Sequence, residues 1–127
     1  MKILIIDDEK EIIDILKLFI NARYPNEILE AQSGNEAIKI MEKEKNNIAL
    51  ALVDWRMKDG NGGVVYNWLK ERNFPFPYIM ASTDSPETYP ELSNLTTDNP
   101  KNSSLRKPFK KASIYECLDK IITPKKS

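Results

Sequence analysis

Residues 48–54, IALALVD, carry no charge until their last position, and the turn-rich stretch WRMKDGNG follows at once. An apolar run of that length, stopped so abruptly, reads as a strand buried on both faces, the pattern of a parallel sheet. In an open parallel sheet the binding crevice lies at the carboxyl ends of the strands. Asp54 is therefore expected at the mouth of the most apolar strand, where chemistry is done. A helix is predicted from residue 63 to 72, with Val65, Trp68 and Leu69 marking its apolar side.

The other segments fall into place around this one. Residues 2–7, KILIID, form a second apolar strand that also ends in acid. Ile12, Leu16, Phe19 and Ile20 recur at helical spacing within residues 11–24, and Pro25 and Asn26 end that helix. Residues 28–31 make a short strand. Ser33 and Gly34 turn the chain into a helix reaching about residue 45, with Ala37, Ile38 and Met41 inward. Residues 78–82, YIMAS, form a fourth strand after Pro75 and Pro77, and Leu105 lies in a short fifth one. A last helix is predicted over residues 110–122, with Ile114, Cys117, Leu118 and Ile121 on one face; Cys117 is read as a small core residue, Trp68 as packing, and Lys110 and Lys111 as solvated.

Strands alternating with helices imply a parallel sheet covered on both faces. One region departs from the alternation. Residues 83–104 are rich in Ser, Thr, Asn and Asp and hold three prolines, so one to three helical turns and then irregular chain are expected there. Tyr89, Leu92 and Leu95 supply its short apolar stripe, and Ser85 before Pro86 marks a helix start.

Composition removes several function classes. With 127 residues the chain is expected to form one domain that needs neither disulfide nor metal to fold. It has no histidine, which excludes Ser-His-Asp and Cys-His catalysis. The 19 basic and 19 acidic residues balance, which argues against nucleic acid or an anionic membrane as the main partner. A single cysteine fits a reducing cytosol, and no apolar run is of spanning length, so a cytoplasmic location is expected.

Asp7 and Asp8 follow the first strand as Asp54 ends the third. If those strands are neighbours the three carboxylates converge, and a hard divalent cation such as Mg²⁺ relieves their repulsion. A plainer role for Asp8 is to cap the first helix, with Glu11 closing a capping box. Ser82 ends the fourth strand, where its hydroxyl is able to reach a phosphoryl oxygen or to make a local turn. Lys107 ends the fifth, where its ammonium is able to pair with the acids. Acid, acid, hydroxyl and cation thus close four strands.

The segments IIDDE, EAQSGNEAI, LVDWRM with Gly62, IMAS and LRKPF together resemble the receiver domains of bacterial two-component response regulators, over nearly the whole chain. The resemblance implies a flavodoxin-like α/β fold with strand order 2-1-3-4-5, here with a weak fourth helix. It implies a single receiver domain over residues 1–127 with no output domain, since the tail TPKKS is too short for one. Asp54 would be the site of phosphorylation, with Ser82 and Lys107 binding the phosphoryl group. Asp8, Asp54 and the backbone carbonyl of Arg56 would bind Mg²⁺, Asp7 assisting through water. The Lys107–Pro108 bond is similar to one that is usually cis. The implied partners are a sensor histidine kinase or histidine phosphotransfer protein and a downstream protein. Such a chain is no enzyme, but an acceptor that assists its own phosphorylation and dephosphorylation. An aspartate-nucleophile phosphatase is disfavoured because Asp7 and Asp8 are adjacent rather than spaced by one residue. A flavin carrier is disfavoured because DDEKE has the wrong charge for a phosphate loop.

The chain also departs from that family. Ser104 stands where an aromatic residue is usual, Lys58 where proline is usual, and Thr83 where Ala or Gly is usual. A looser loop after Asp54 and loss of the usual switch are the corresponding expectations. A phosphorylation-independent interaction scaffold is the alternative reading. Arg56 and Thr83 are expected to hinder an attacking water and so prolong the phosphorylated state.

Overall fold

The computed structural model describes residues 1–126. Five strands, β1 (Lys2–Ile6), β2 (Ile28–Ala31), β3 (Ile48–Asp54), β4 (Tyr78–Ser82) and β5 (Ser103–Arg106), form one parallel sheet in the order β2-β1-β3-β4-β5. Helices α1 (Lys10–Arg23), α2 (Gly34–Glu44), α3 (Gly62–Glu71), α4 (Leu95–Asp98) and α5 (Lys111–Asp119) connect and cover them. This is the flavodoxin-like arrangement expected from the sequence. Among the described residues no helix is long and apolar enough to cross a membrane.

β3 is apolar on both faces because both faces are covered. Leu50 and Leu52 join Ile3, Ile5, Ile13, Leu16, Ile20, Ile114 and Leu118 in a core under α1 and α5. Ala51 and Val53 join Leu4, Ile6, Met41, Val65 and Leu69 in the core under α2 and α3. On α1 the buried positions are Ile13, Leu16 and Ile20, while Ile12 and Phe19 pack at the margin. The apolar stripe is thus rotated slightly from the one inferred, and fully burying Leu or Ile stabilises by roughly 1.5–3 kcal/mol each.

The register fixes the site. β1 pairs with β3 so that Ile6 lies beside Val53, and β3 pairs with β4 so that Asp54 lies beside Ala81. The carboxyl ends of β1, β3 and β4 are therefore level, and the residues leaving them meet.

The chain from 83 to 102 contains two single 3₁₀ turns, Pro86–Thr88 and Pro90–Leu92, and the one-turn α4. The prolines set φ at the start of each 3₁₀ turn. Leu92 and Leu95 are buried, so the stripe inferred from sequence does anchor this segment. Cys117 packs against the core under α1 and α5 as read from the sequence, but it is only half-buried and also lines a groove of about 740 Å³ between this segment, β5 and α5. The small side chains of Ser103 and Ser104 leave that space open.

Candidate functional site

At the carboxyl end of the sheet lies a crevice of about 290 Å³ lined by Asp8, Glu9, Ile12, Asp54, Arg56, Ser82, Thr83 and Lys107. One carboxylate oxygen from each of Asp7, Asp8 and Asp54 lies within 4.8 Å of the others. Lys107 Nζ stands 3.1 Å from Asp7 Oδ2 and 3.2 Å from Asp54 Oδ1. Lys107 follows β5 by one residue; its N–H donates to Ser82 O at 2.9 Å, and its bond to Pro108 is cis. Residues a hundred positions apart thus converge because parallel strands end at one edge.

The electrostatics follow from the burial. Asp54 is 7% exposed. Burial, and next to it the Asp7 charge, push its carboxyl up to about 6, with Asp8 adding and Lys107 opposing. Burial also works against the Lys107 charge, but the Asp54 and Asp7 carboxylates together prevail and hold its amine above the ordinary lysine value. Three hard oxygen donors balanced by one ammonium leave negative charge uncompensated. That donor set suits Mg²⁺, which takes few carboxylates and keeps its waters.

Asp7 has a second task. Its Oδ1 accepts from Glu9 N–H at 2.9 Å and fixes the turn into α1. The N-cap of α1 is Glu9 with no side-chain cap, so the box between Asp8 and Glu11 is not formed. Asp8 is instead free of that duty and faces the crevice. Ser82 does both things expected of it: it lines the crevice, and its Oγ accepts from Asp84 N–H at 3.0 Å in a local turn.

Sequence reading missed what stands at the mouth. Arg56 pairs with Asp84 at 2.8 Å, and Tyr89 donates to the same carboxylate oxygen at 2.7 Å. The Tyr89 ring stacks on Trp55 at 4.4 Å between centroids. These contacts join the loops after β3 and β4. No local pattern signals the Arg56–Asp84 pair or the Trp55–Tyr89 stack, since the first spans 28 residues and both depend on the fold. The Arg56 side chain is paired with Asp84 while Arg56 also lines the crevice of Asp54.

The family model described as "Response regulator receiver domain" matches residues 3–119. No curated protein matches the chain. Among solved structures, the response regulator receiver domain protein from Clostridium thermocellum aligns with a TM-score of 0.73 at 24% identity, covering 94% of this chain and 91% of that one. The chemotaxis protein CheY4 of Vibrio cholerae aligns with a TM-score of 0.76 at 21% identity, over 95% and 98% of the two chains. The receiver domain of NtrX from Brucella abortus gives 0.75 at 17% identity, over 94% and 96%. At these identities the structural likeness speaks for the fold.

Proposed function

The chain belongs to the response regulator receiver domain family of two-component systems, and on that premise we propose that it accepts a phosphoryl group on Asp54 from a phosphohistidine donor and signals by protein contact. The donor is a sensor histidine kinase or a histidine phosphotransfer protein, and the setting is the cytoplasm. The observation that carries the reading is Lys107 Nζ between Asp7 and Asp54, beside a third carboxylate, at the ends of separate strands.

An Asp54 oxygen attacks phosphorus; the P–N bond to the donor imidazole breaks and its electron pair stays with that ring. Lys107 is placed to follow charge from the carboxylates onto the phosphoryl oxygens, and the Ser82 hydroxyl to donate to one of them. Catalysis here is positioning and electrostatics. Asp8, Asp54 and the Arg56 carbonyl would hold Mg²⁺, with Asp7 acting through water, and the bound ion supplies charge neutralisation at the transferring group. Water attack on phosphorus later releases phosphate and restores the carboxylate. Ser82 moving toward the phosphoryl group would surrender its bond to Asp84 N–H and so shift the segment that follows.

Incubation with acetyl phosphate and Mg²⁺ tests this. Intact-mass measurement is expected to show one added phosphoryl group on the wild type and none on Asp54→Asn. Labelling of the variant, or none of the wild type, overturns the proposal. A scaffold that binds its partner without phosphorylation is the second reading, favoured by the one-turn α4 and the open groove at Ser104. An unlabelled wild type that still binds its partner would establish it.

A further inference from the structure

The loop between β3 and α3 carries Trp55 and Arg56, and it is tied down at several points. Trp55 N–H donates to Ala81 O at 3.1 Å, and Gly62 N–H to Trp55 O at 2.9 Å. Asn61 Oδ1 accepts from Gly63 N–H at 2.9 Å and caps α3. The remaining ties come from α2, an element that supplies no side chain to the crevice. Gly34 N–H donates to Gly60 O at 2.8 Å, Asn35 N–H to Asp59 O at 3.2 Å, and Asn35 Nδ2 to Asp59 Oδ1 at 2.7 Å.

These bonds account for the amino end of α2. The first N–H groups of a helix have no partner within it. Here Ser33 serves Glu36 through its Oγ and Ala37 through its carbonyl. The two N–H groups before them are served by the carbonyls of the acceptor loop. The approach is possible only because both contacting residues lack a side chain. A Cβ on Gly34 would lie 2.4 Å from Gly60 O and 2.7 Å from Gly60 C. Gly60 itself has φ +81°, and a Cβ there would lie 2.9 Å from Asn35 N. Lys58, in the middle of the loop, imposes no backbone restraint of its own, so the loop's rigidity comes from its ends.

We infer that Gly34 and Gly60 are positioning residues of the phosphoacceptor site: their backbone clasp lets α2 hold the loop that carries Arg56, and thereby sets the affinity of the acid cluster for Mg²⁺. The inference rests on the metal site proposed above. Gly34 touches no reacting group; it acts through the loop. Partners bonded directly to a metal ligand are worth roughly 10–100-fold in affinity when removed; the clasp bonds Asp59 and Gly60, a few residues from Arg56, so its effect belongs at or below the lower end of that range.

The test is calorimetric titration of Mg²⁺ into the wild type, Gly34→Ala, Gly60→Ala, Asn35→Ala and Ala37→Gly. Gly34→Ala and Gly60→Ala are expected to weaken binding by about three- to tenfold, and Asn35→Ala, which keeps the backbone bonds, by less than about twofold. Phosphoryl uptake from acetyl phosphate at saturating Mg²⁺ is expected within about threefold of wild type, because a loss of binding is repaired by concentration. In metal-free protein the amides of residues 34 and 35 should exchange at least about tenfold faster in Gly60→Ala, as their bonds to the loop open. Ala37→Gly loosens the same helix from a buried position away from the loop; it is expected to lower the melting temperature and leave Mg²⁺ affinity unchanged. Wild-type affinity in both glycine variants overturns the clasp, as does an equal loss in Ala37→Gly. A wild type that binds no Mg²⁺ overturns the metal site and the clasp together, whereas normal wild-type binding with unaltered variants overturns the clasp alone.

Discussion

Two loops leave neighbouring strands at the same end of the sheet and are built in different ways. Residues 55–61, after β3, are bonded to β4, to α2 and to the cap of α3. Residues 83–102, after β4, are a series of single turns beside a groove of about 740 Å³. The first loop sits against the acid cluster. The second starts at Thr83, which lines the crevice, and leads away from it. Phosphoryl transfer depends on positions held to fractions of an ångström. A surface that has only to change shape tolerates looser packing and gains from local openings of low cost. On the proposed function, the contrast would separate a part that performs chemistry from a part that reports it.

The contrast is broken most directly by rate measurements. Lys107→Ala removes the ammonium that touches both Asp7 and Asp54, and loss of one such group costs roughly 10²–10³-fold in the rate of transfer. Uptake from acetyl phosphate should fall by about that factor, whereas Leu92→Ala, in the turns beside the groove, should change it by less than about threefold. Comparable losses in the two variants, measured by time-resolved intact mass, would mean that the turns after β4 belong to the chemistry.

A stability measurement sharpens the same contrast from the acid side. The Asp54 carboxyl is raised from 3.8 to about 6 by burial and by Asp7. A folded-state value above the unfolded one means that the proton stabilises the fold: the contribution is complete below about 3.8 and is lost as pH rises through about 6. Without divalent cation, wild type should therefore lose this contribution across that window. Asp54→Asn, which cannot ionise, should not. Above pH 7 the variant is expected to be the more stable by roughly 2–3 kcal/mol, from about two units at 1.36 kcal/mol each. Mg²⁺ should remove most of the difference. Thermal melts of the two proteins at several pH values, with and without Mg²⁺, check both statements, and parallel pH profiles would refute the first.

Much of this was legible in the sequence because strand positions and burial are local signals, while the strand order came with the resemblance that the motifs carry. Residues 28–31, 48–54 and 78–82 occupy the strands assigned to them, and Asp54, Ser82 and Lys107 meet because parallel strands end together. The cap of α1 was not legible. Asp8 and Glu11 have the spacing of a capping box, but Asp7 takes the Glu9 N–H and Asp8 turns to the crevice, so the tertiary site displaces the local preference. Cys117 fits the helical period of the core face, yet Ser103 and Ser104 are too small to close the space above it. The Gly34–Gly60 clasp and the Arg56–Asp84–Tyr89 contacts join residues with no periodic relation, and only the fold brings them together.

The groove gives a smaller effect. Ser104→Phe places a ring in open space lined by Leu92, Leu95 and Cys117. Filling a pre-existing space avoids the overpacking penalty of a dense core, so a gain of about 0.5–2 kcal/mol is expected. The same ring at a tightly packed site would cost about 1–3 kcal/mol. A fall in melting temperature of that size would show the second loop to be as closely packed as the first.

The smallest effect concerns the contacts that join the loops. Arg56 is mostly exposed, and solvent screens its ion pair with Asp84, so the pair contributes little. Its influence on the phosphorylated state is accordingly limited. Arg56 and Thr83 both line the crevice, and the guanidinium is paired with Asp84. In the Arg56→Asn, Thr83→Ala double variant, phosphate release should be about two- to fivefold faster, a difference of no more than about 1 kcal/mol in the barrier. Loss of the acyl phosphate with time, followed by intact mass after removal of acetyl phosphate, measures it. An unchanged rate would mean that access of water to Asp54 is set by the pinned loop alone, and that the two loops are coupled less closely than the Arg56–Asp84 contact suggests.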